Sequence, residues 1–275
     1  MASQTKEKTF NSRTDEILHL LEKADNWCSG EEISKQFDIS RAAISKHIVS
    51  LRKYGHIIES ATKKGYKLIY RNEKIDSKTL LKKLETKVFG KSEIFVFEKI
   101  GSSNQEAMLK ALENSENGTL IIAENQEKGR GTKNHTWFSA PRSLQFSLLL
   151  RSQVCLQKTS IEINSIIEST LECIAQIIQE LYGIKAIIKK PNDLLINNKK
   201  VCGVLVETGY RGEYLEWLIL GVGINVNTVL EDFPLELQSI CTSLAIESNN
   251  FFNRTDLLAH LLYKIEKTLQ KSQVL

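Results

Sequence analysis

Apolar and polar positions alternate with two different periods along this chain. Within Thr14 to Ala24, Ile17, Leu18, Leu20 and Leu21 recur at helical spacing. Ser29 with Glu32 has the form of a capping box and opens a short helix that runs through Phe37. Ser40 then caps a third helix. On it Ile44, Ile48 and Leu51 share one face, while Ala42, Ser45, Lys46, Val49 and Lys53 point away from that face. Ile57 to Ser60 and Gly65 to Ile69 flank the turn Ala61 to Lys64, so a small β wing is expected after the third helix.

Beyond residue 90 the pattern is mostly that of strands. Strands are expected at 94–99, 119–124, 144–151, 184–189, 193–197, 200–207 and 214–225, and helices at 103–113, 159–182 and 255–270. The longest helix carries the stripe Ile163, Ile166, Ile167, Leu171, Ile174, Ile177, Ile178 and Leu181, which reads as core. The pattern predicts an α+β chain in three parts. Residues 1–70 form a winged helix-turn-helix, and residues 71–90, rich in Lys and Leu, form a connecting segment with a short helix. Residues 91–275 form a mixed β-sheet with helices packed on one side.

Composition changes this picture in a few places. At 275 residues the chain is long enough for a small module and one large domain. A net charge of +4 is nearly balanced, so any surface for nucleic acid must be local. One such surface is visible from 41 to 70, where Arg41, Lys46, Arg52, Lys53, Lys63, Lys64 and Lys67 face the single acid Glu59. That excess, on a winged helix, fits DNA, with a protein-contact role as the alternative. The candidate DNA contacts are Arg41, Ala42, Ser45, Lys46, Val49 and Lys53. The five cysteines, Cys28, Cys155, Cys173, Cys202 and Cys241, have no paired metal spacing, and no signal peptide or 18-residue apolar run is present. A cytoplasmic protein without a membrane partner is expected.

Three later segments carry candidate chemistry. Glu124 to Trp137 packs Lys128, Gly129, Arg130, Gly131 and Lys133 into a cationic, glycine-rich loop after an apolar strand. Glycines allow close backbone approach, and the cations supply donors matched to phosphate or carboxylate. The loop matches neither GxxxxGK[ST] nor GxGxxG, and taken alone it also fits a solvated surface loop. Lys189 to Glu207 reads as a hairpin around the polar turn Asn197 to Lys200. Pro191 there constrains Lys190 and holds Asn192 and Asp193 at the mouth of the first strand. Lys200, opposite them, could neutralise phosphate charge while the acid handles a metal ion or a proton. An ordinary turn with solvated charges is the alternative. In Leu218 to Asn227, Gly221 and Gly223 fall on one face of an apolar strand, where a flat group could approach, with Asn225 next on that face. A bulged core strand would read the same way.

Four ordered motifs together resemble the catalytic domain of the biotin protein ligases. They are Ser102, Ser103 and Asn104 after the first strand, then Gly129 to Trp137, then Lys189 to Asp193 with Lys200, and finally Gly221 to Val226. The resemblance spans about residues 90 to 270. With the N-terminal module it is similar to the bifunctional biotin ligases and biotin operon repressors of bacteria. It implies ATP, Mg²⁺ and biotin as reactants, a biotin carboxyl carrier protein domain and operator DNA as partners, and a homodimer formed when biotinyl-adenylate binds. It further implies Lys200, Arg130 and Asp193 as catalytic residues, with Asp193 the candidate Mg²⁺ ligand. Biotin would lie against Ser102, Ser103, Asn104, Gln126, Gly129, Arg130, Trp137 and Gly203. The nucleotide would meet Lys133, Trp137, Phe138, Lys189, Asn192, Lys200 and Asn225.

This sequence departs from the family pattern at Thr132, Asn134 and His135, where arginine, glycine and arginine are usual, and at Lys190, where tryptophan precedes Pro-Asn-Asp. Bifunctional members also continue into a small β barrel, which this chain, ending at Leu275 just past the last helix, is expected to lack. Two other readings therefore stand beside a ligase and repressor. One is a biotin-sensing regulator with weak or no ligation, and the other is a lipoate or octanoate transferase relative.

Overall fold

In the computed structural model, which describes residues 12–24, 26–132, 135–151 and 160–271, the chain divides into two units between Glu73 and Lys74. The first contains α1 (Ser12–Lys23), α2 (Gly30–Phe37), α3 (Arg41–Lys53), β1 (Ile57–Ala61) and β2 (Gly65–Tyr70), the two strands pairing antiparallel as a wing. The capping box forms in both directions: the Glu32 N–H donates to Ser29 Oγ at 3.1 Å and the Ser29 N–H to Glu32 Oε2 at 2.8 Å. Ser40 Oγ accepts from the Ala43 N–H, closing the start of α3. Ile17, Leu18, Leu21, Ile33, Ile44, Ile48, Leu51 and Ile58 are buried together as this unit's core.

The second unit follows as α4 (Ser77–Lys83), β3 (Ile94–Phe97), α5 (Ser103–Leu112), β4 (Leu120–Ala123), β5 (Leu144–Leu150) and α6 (Ser160–Tyr182). It continues with β6 (Ile187–Lys189), β7 (Asp193–Ile196), β8 (Lys199–Arg211), β9 (Tyr214–Ile224), α7 (Leu235–Gln238), α8 (Leu244–Ser248) and α9 (Arg254–Lys271). Its seven strands lie in the order β3-β4-β5-β9-β8-β7-β6, with β3 and β4 parallel and every other pair antiparallel. Strand alternation assigns the two faces. Leu144, Phe146, Leu148, Cys202, Val204, Leu218, Leu220 and Val222 point into the large core against α4, α6 and α9. The opposite face carries Ile121, Leu149, Trp217 and Ile219, packed against Ala107 and Ala111 of α5. Helices therefore cover both faces, where one covered side was expected. The single parallel pair, β3 and β4, requires a crossover, and that crossover is α5.

Most of the predicted stripe of α6 is core, but Leu181 in its last turn is 40% exposed. Of residues 71–90, read from sequence as a connecting segment, 74–90 are packed into the second unit: Ile75, Leu80, Leu84 and Phe89 belong to its core. Glu266 of α9 accepts the backbone N–H groups of Lys87, Val88 and Phe89. Arg254 at the start of α9 pairs with Glu124 at 2.8 Å, and Glu124 also accepts the Ile75 N–H. Among the described residues no helix is long and apolar enough to cross a membrane.

One buried histidine makes the first unit sensitive to acid. His56 is 6% exposed, and its Nδ1 accepts the Asn72 N–H at 3.1 Å. Burial, aided by the positive charge of Arg71, pushes its pKa down to about 4 from an ordinary 6.5. Between those values the unfolded chain binds the proton and the folded chain does not. The stabilisation is therefore complete above pH 6.5 and is lost as pH falls through 4, in all up to about 3 kcal/mol. NMR titration of the His56 ring is expected to give a midpoint near pH 4; a midpoint at 6.5 or higher would contradict the burial argument.

Candidate active site and nucleic-acid interface

The pairing of β8 with β9 sets Gly203 opposite Gly223 and Leu205 opposite Gly221, on the face away from the large core. The absent side chains leave a bare strip that other groups occupy. A Cβ at Gly221 would lie 2.0 Å from Asn104 Oδ1, and one at Gly223 would lie 2.6 Å from the Trp137 indole. One at Gly203 would come within 3.2 Å of the same indole. The flat group anticipated over these glycines is thus the protein's own Trp137. A cavity opens beside it, bounded by Ser102, Ser103, Asn104 and Gln126 at one end and by Asn192, Asp193 and Lys200 at the other.

The first end is neutral and rich in hydrogen-bonding groups. Ser102 is the N-cap of α5 and is buried, yet its hydroxyl makes no capping bond to the helix. The Ser103 N–H donates to Gln126 Oε1 at 2.7 Å, and Gln126 Nε2 donates to Gln145 Oε1 at 2.5 Å. The Ser147 hydroxyl lies 2.8 Å from Ser103 Oγ and 2.6 Å from Asn104 Oδ1. The Asn104 amide then donates to Glu207 Oε2 at 2.9 Å. Gln145, Ser147 and Glu207 were not singled out from the sequence. Their signal was polar residues at alternate positions of apolar strands, which is where a strand face turned from the core must lie.

The second end is charged. Lys200 Nζ stands 2.6 Å from Asp193 Oδ1, with side chains 32% and 21% exposed, and 5.6 Å from the centre of the Trp137 ring. Several local features hold the pair in place. Asn197 and Asn198 both take positive φ, giving a two-residue hairpin turn, so Lys199 and Lys200 already belong to β8. The Lys200 N–H donates to Ile240 O, and Lys200 O accepts from the Thr242 N–H, which pins the backbone from outside the hairpin. Asn192 donates through Nδ2 to Val204 O and accepts the Val204 N–H at its carbonyl. The peptide bond between Lys190 and Pro191 is cis.

The described residues of the glycine-rich loop pair with one another across it. Trp137 N–H donates to Gly129 O, Gly131 N–H to His135 O, and Arg130 bridges to Thr136. Arg130 Nη2 lies 3.0 Å from Glu207 Oε1, and so the structure draws it to the neutral end and away from Lys200. Thr132 and His135 line the cavity. Lys133 lies outside the described residues.

Three predicted nucleotide contacts are not on the cavity wall. Lys189 is exposed on the short edge strand β6. Phe138 is 37% exposed, its ring 6.4 Å from that of Phe233. Asn225 lies beyond the end of β9 and is buried. It donates to Thr242 O at 3.0 Å and lies 3.3 Å from the Ser143 hydroxyl, so strand alternation cannot carry it onto the glycine face.

No group of three or more His, Cys, Asp or Glu residues capable of caging a metal occurs among the described residues. The single carboxylate of Asp193 suits a cation such as Mg²⁺, which keeps waters and takes most of its ligands from phosphates. Cys202 is fully buried on the core face of β8, and burial raises its thiol pKa, so it packs rather than reacts.

In the first unit Arg41, Ala42, Ser45, Lys46, Val49 and Lys53 are all exposed along α3, as the helical face requires. Arg52 is committed elsewhere: its guanidinium donates to Ile58 O at 2.7 Å and to Ser60 Oγ at 2.6 Å, tying α3 to the wing. Lys63 and Lys64 are exposed in the wing turn, with Lys64 Nζ 5.8 Å from the Trp27 ring.

Residues 13–67 match a helix-turn-helix domain, and residues 96–225 match the biotin/lipoate A/B protein ligase family. The chain is similar to the bifunctional ligase/repressor BirA of Bacillus subtilis (strain 168), 35% identical over 254 residues that cover 92% of this chain and 77% of that protein. It is also similar to the protein of the same name in Escherichia coli (strain K12), 32% identical over 200 residues, covering 72% and 59% of the two. Among solved structures it is similar to the biotin protein ligase of Aquifex aeolicus in complex with biotin and ATP. That match has a TM-score of 0.54 and 27% identity, covering 65% of this chain and 71% of that one. With both units matched in order and at this identity, the chain belongs to the biotin/lipoate A/B protein ligase family, among its bifunctional ligase/repressors.

Proposed function

We propose that the second unit activates biotin with ATP and transfers it to a lysine of a carrier protein, and that the first unit binds operator DNA to repress biotin synthesis. The observation that carries the ligase reading is the glycine-floored cavity joining a neutral polar end to the Lys200–Asp193 end. A ligand with an uncharged hydrogen-bonding head and an acidic tail fits that polarity. The ureido group would meet the hydroxyl and amide groups of Ser102, Ser103, Asn104 and Gln126. Gly203 and Gly223, with Trp137 above them, would flank the chain that leads to the carboxylate.

Chemistry would begin at the charged end. A carboxylate oxygen attacks the α-phosphorus of ATP, the bond to the bridging oxygen breaks, and pyrophosphate leaves with the electron pair. Two like charges about 4 Å apart repel by roughly 4 kcal/mol at an effective dielectric constant of 20. Lys200 offsets that repulsion, and its partner Asp193 keeps the ammonium aimed along the strip. In the second step a neutral carrier lysine attacks the acyl carbon, the bond to the phosphate oxygen breaks, and AMP leaves. The amine proton passes to Asp193 and then to water. Mg²⁺ carried in by ATP would be held by Asp193 and would further neutralise phosphate charge. Lys133 and Asn192 complete the phosphate-binding groups in this reading. Thr132 and His135 stand where the family has arginine, which leaves the loop with fewer fixed positive charges. The carrier is a biotin carboxyl carrier domain, and the use of ATP and operator DNA supports a cytoplasmic protein. Two copies joined when biotinyl-adenylate is bound would suit a two-fold operator.

Replacing Lys200 with Ala is expected to reduce biotin-dependent pyrophosphate release by about a hundredfold or more while the protein stays folded, since the group lost serves developing charge rather than packing. Near-normal release by the folded variant would remove Lys200 from this role and the acyl-activation reading with it.

The DNA reading has a separate test. Lys46→Ala with Lys53→Ala is expected to weaken operator binding and to lower the salt dependence of log Kd by roughly two phosphate contacts, without altering ligation. Unchanged affinity and slope would mean that α3 does not enter the groove by this face.

A further inference from the structure

Glu207 lies on β8 at the neutral end of the cavity, on the same face of the strand as Gly203 and Leu205, and pairs in register with Ile219. Both of its carboxylate oxygens are used by groups that line the cavity. Oε1 lies 3.0 Å from Arg130 Nη2, and Oε2 accepts from Asn104 Nδ2 at 2.9 Å. The carboxylate is the better buried partner, its side chain 18% exposed against 46% for Arg130. Asn104 is itself wedged between the Ser147 hydroxyl and the bare backbone of Gly221.

We propose that Glu207 is a positioning residue that holds Arg130, and the paired backbone of Gly129 and Trp137 beside it, against the sheet and fixes the amide of Asn104. Among the described residues of this loop, Trp137 lies against Gly203 and Gly223, and Arg130 is tied to Glu207. The backbone bonds from Gly131 to His135 and from Trp137 to Gly129 are internal to the loop. Lys200 and Glu207 are seven positions apart on β8, roughly 23 Å along the strand. The clamp therefore lies far from the charged end. Pairing Arg130 with Glu207 also leaves little net charge beside the neutral end of the cavity, which suits an uncharged ligand head. Losing the clamp should loosen Arg130 and the backbone bonds of Gly131 and Trp137 beside it, and let the bound intermediate escape.

The inference rests on the ligase reading for its substrate, and two measurements separate the two. Hydrogen exchange at the Gly131 and Trp137 amides, measured without ligand, is expected to be faster in Glu207→Gln than in wild type. A chase of labelled biotinyl-adenylate is expected to show release roughly threefold to tenfold faster in Glu207→Gln, with a raised KM for biotin and an unchanged KM for ATP. Arg130→Gln removes the same pair from an exposed side chain, so it serves if Glu207→Gln does not fold. Its exchange and release rates should match those of Glu207→Gln, with the double variant no faster than either single one. Unchanged exchange and release on losing Glu207, or additive effects in the double variant, would overturn the clamp. Faster exchange in Glu207→Gln, together with a wild type that forms no adenylate, would instead uphold the clamp and sink the ligase reading.

Discussion

The close approach permitted by Gly203, Gly221 and Gly223 is the constraint on which the rest of the second unit's site depends. On any ordinary strand pair the face opposite the core would be filled by side chains. Here it is left open, and Asn104 and Trp137 reach the backbone itself. Filling the strip by one methyl at Gly221 would require Asn104 to move, and Asn104 is bonded to Ser147 and Glu207. A single added carbon would thus disturb the polar end, the hairpin anchor and the floor together, because packed neighbours have little room to give.

That strip also explains how one cavity can hold two unlike chemical environments. Its neutral end is built from groups bonded to one another, Gln126 to Gln145 and Ser103 to Ser147, so the donors and acceptors facing a ligand are fixed before it arrives. Its charged end is a single cation and anion, pinned by the hairpin turn and by the segment 240–242. Preorganisation of this kind lets binding energy at the neutral end be used to hold the carboxylate at the reacting end.

Much of this was legible in the sequence, for a physical reason. Strand alternation and helical periodicity located the strands of the sheet, and the capping box at Ser29 and Glu32 and the exposed face of α3 formed as the pattern required. Lys200 and Asp193 could be paired because a short hairpin makes them neighbours in both sequence and space. Glu207 could not be found that way: its partners Arg130 and Asn104 come from other elements, and only the packing of α5 and the loop against β8 brings them together. Asn225 lies off the cavity wall for the converse reason, since alternation holds only while the strand continues and β9 ends at Ile224. The segment 74–90 was misleading in composition, because its lysines hid the buried positions Leu80 and Leu84.

A first unit built to meet DNA and a second built to activate an acid agree with the ordered family matches along the chain. The most direct measurement of the central claim is mass spectrometry of a biotin carboxyl carrier domain incubated with the full chain, MgATP and either biotin or lipoate. One biotinyl group on a single carrier lysine, with nothing added from lipoate, is the expected result. An unmodified carrier, or one carrying lipoate, would contradict it.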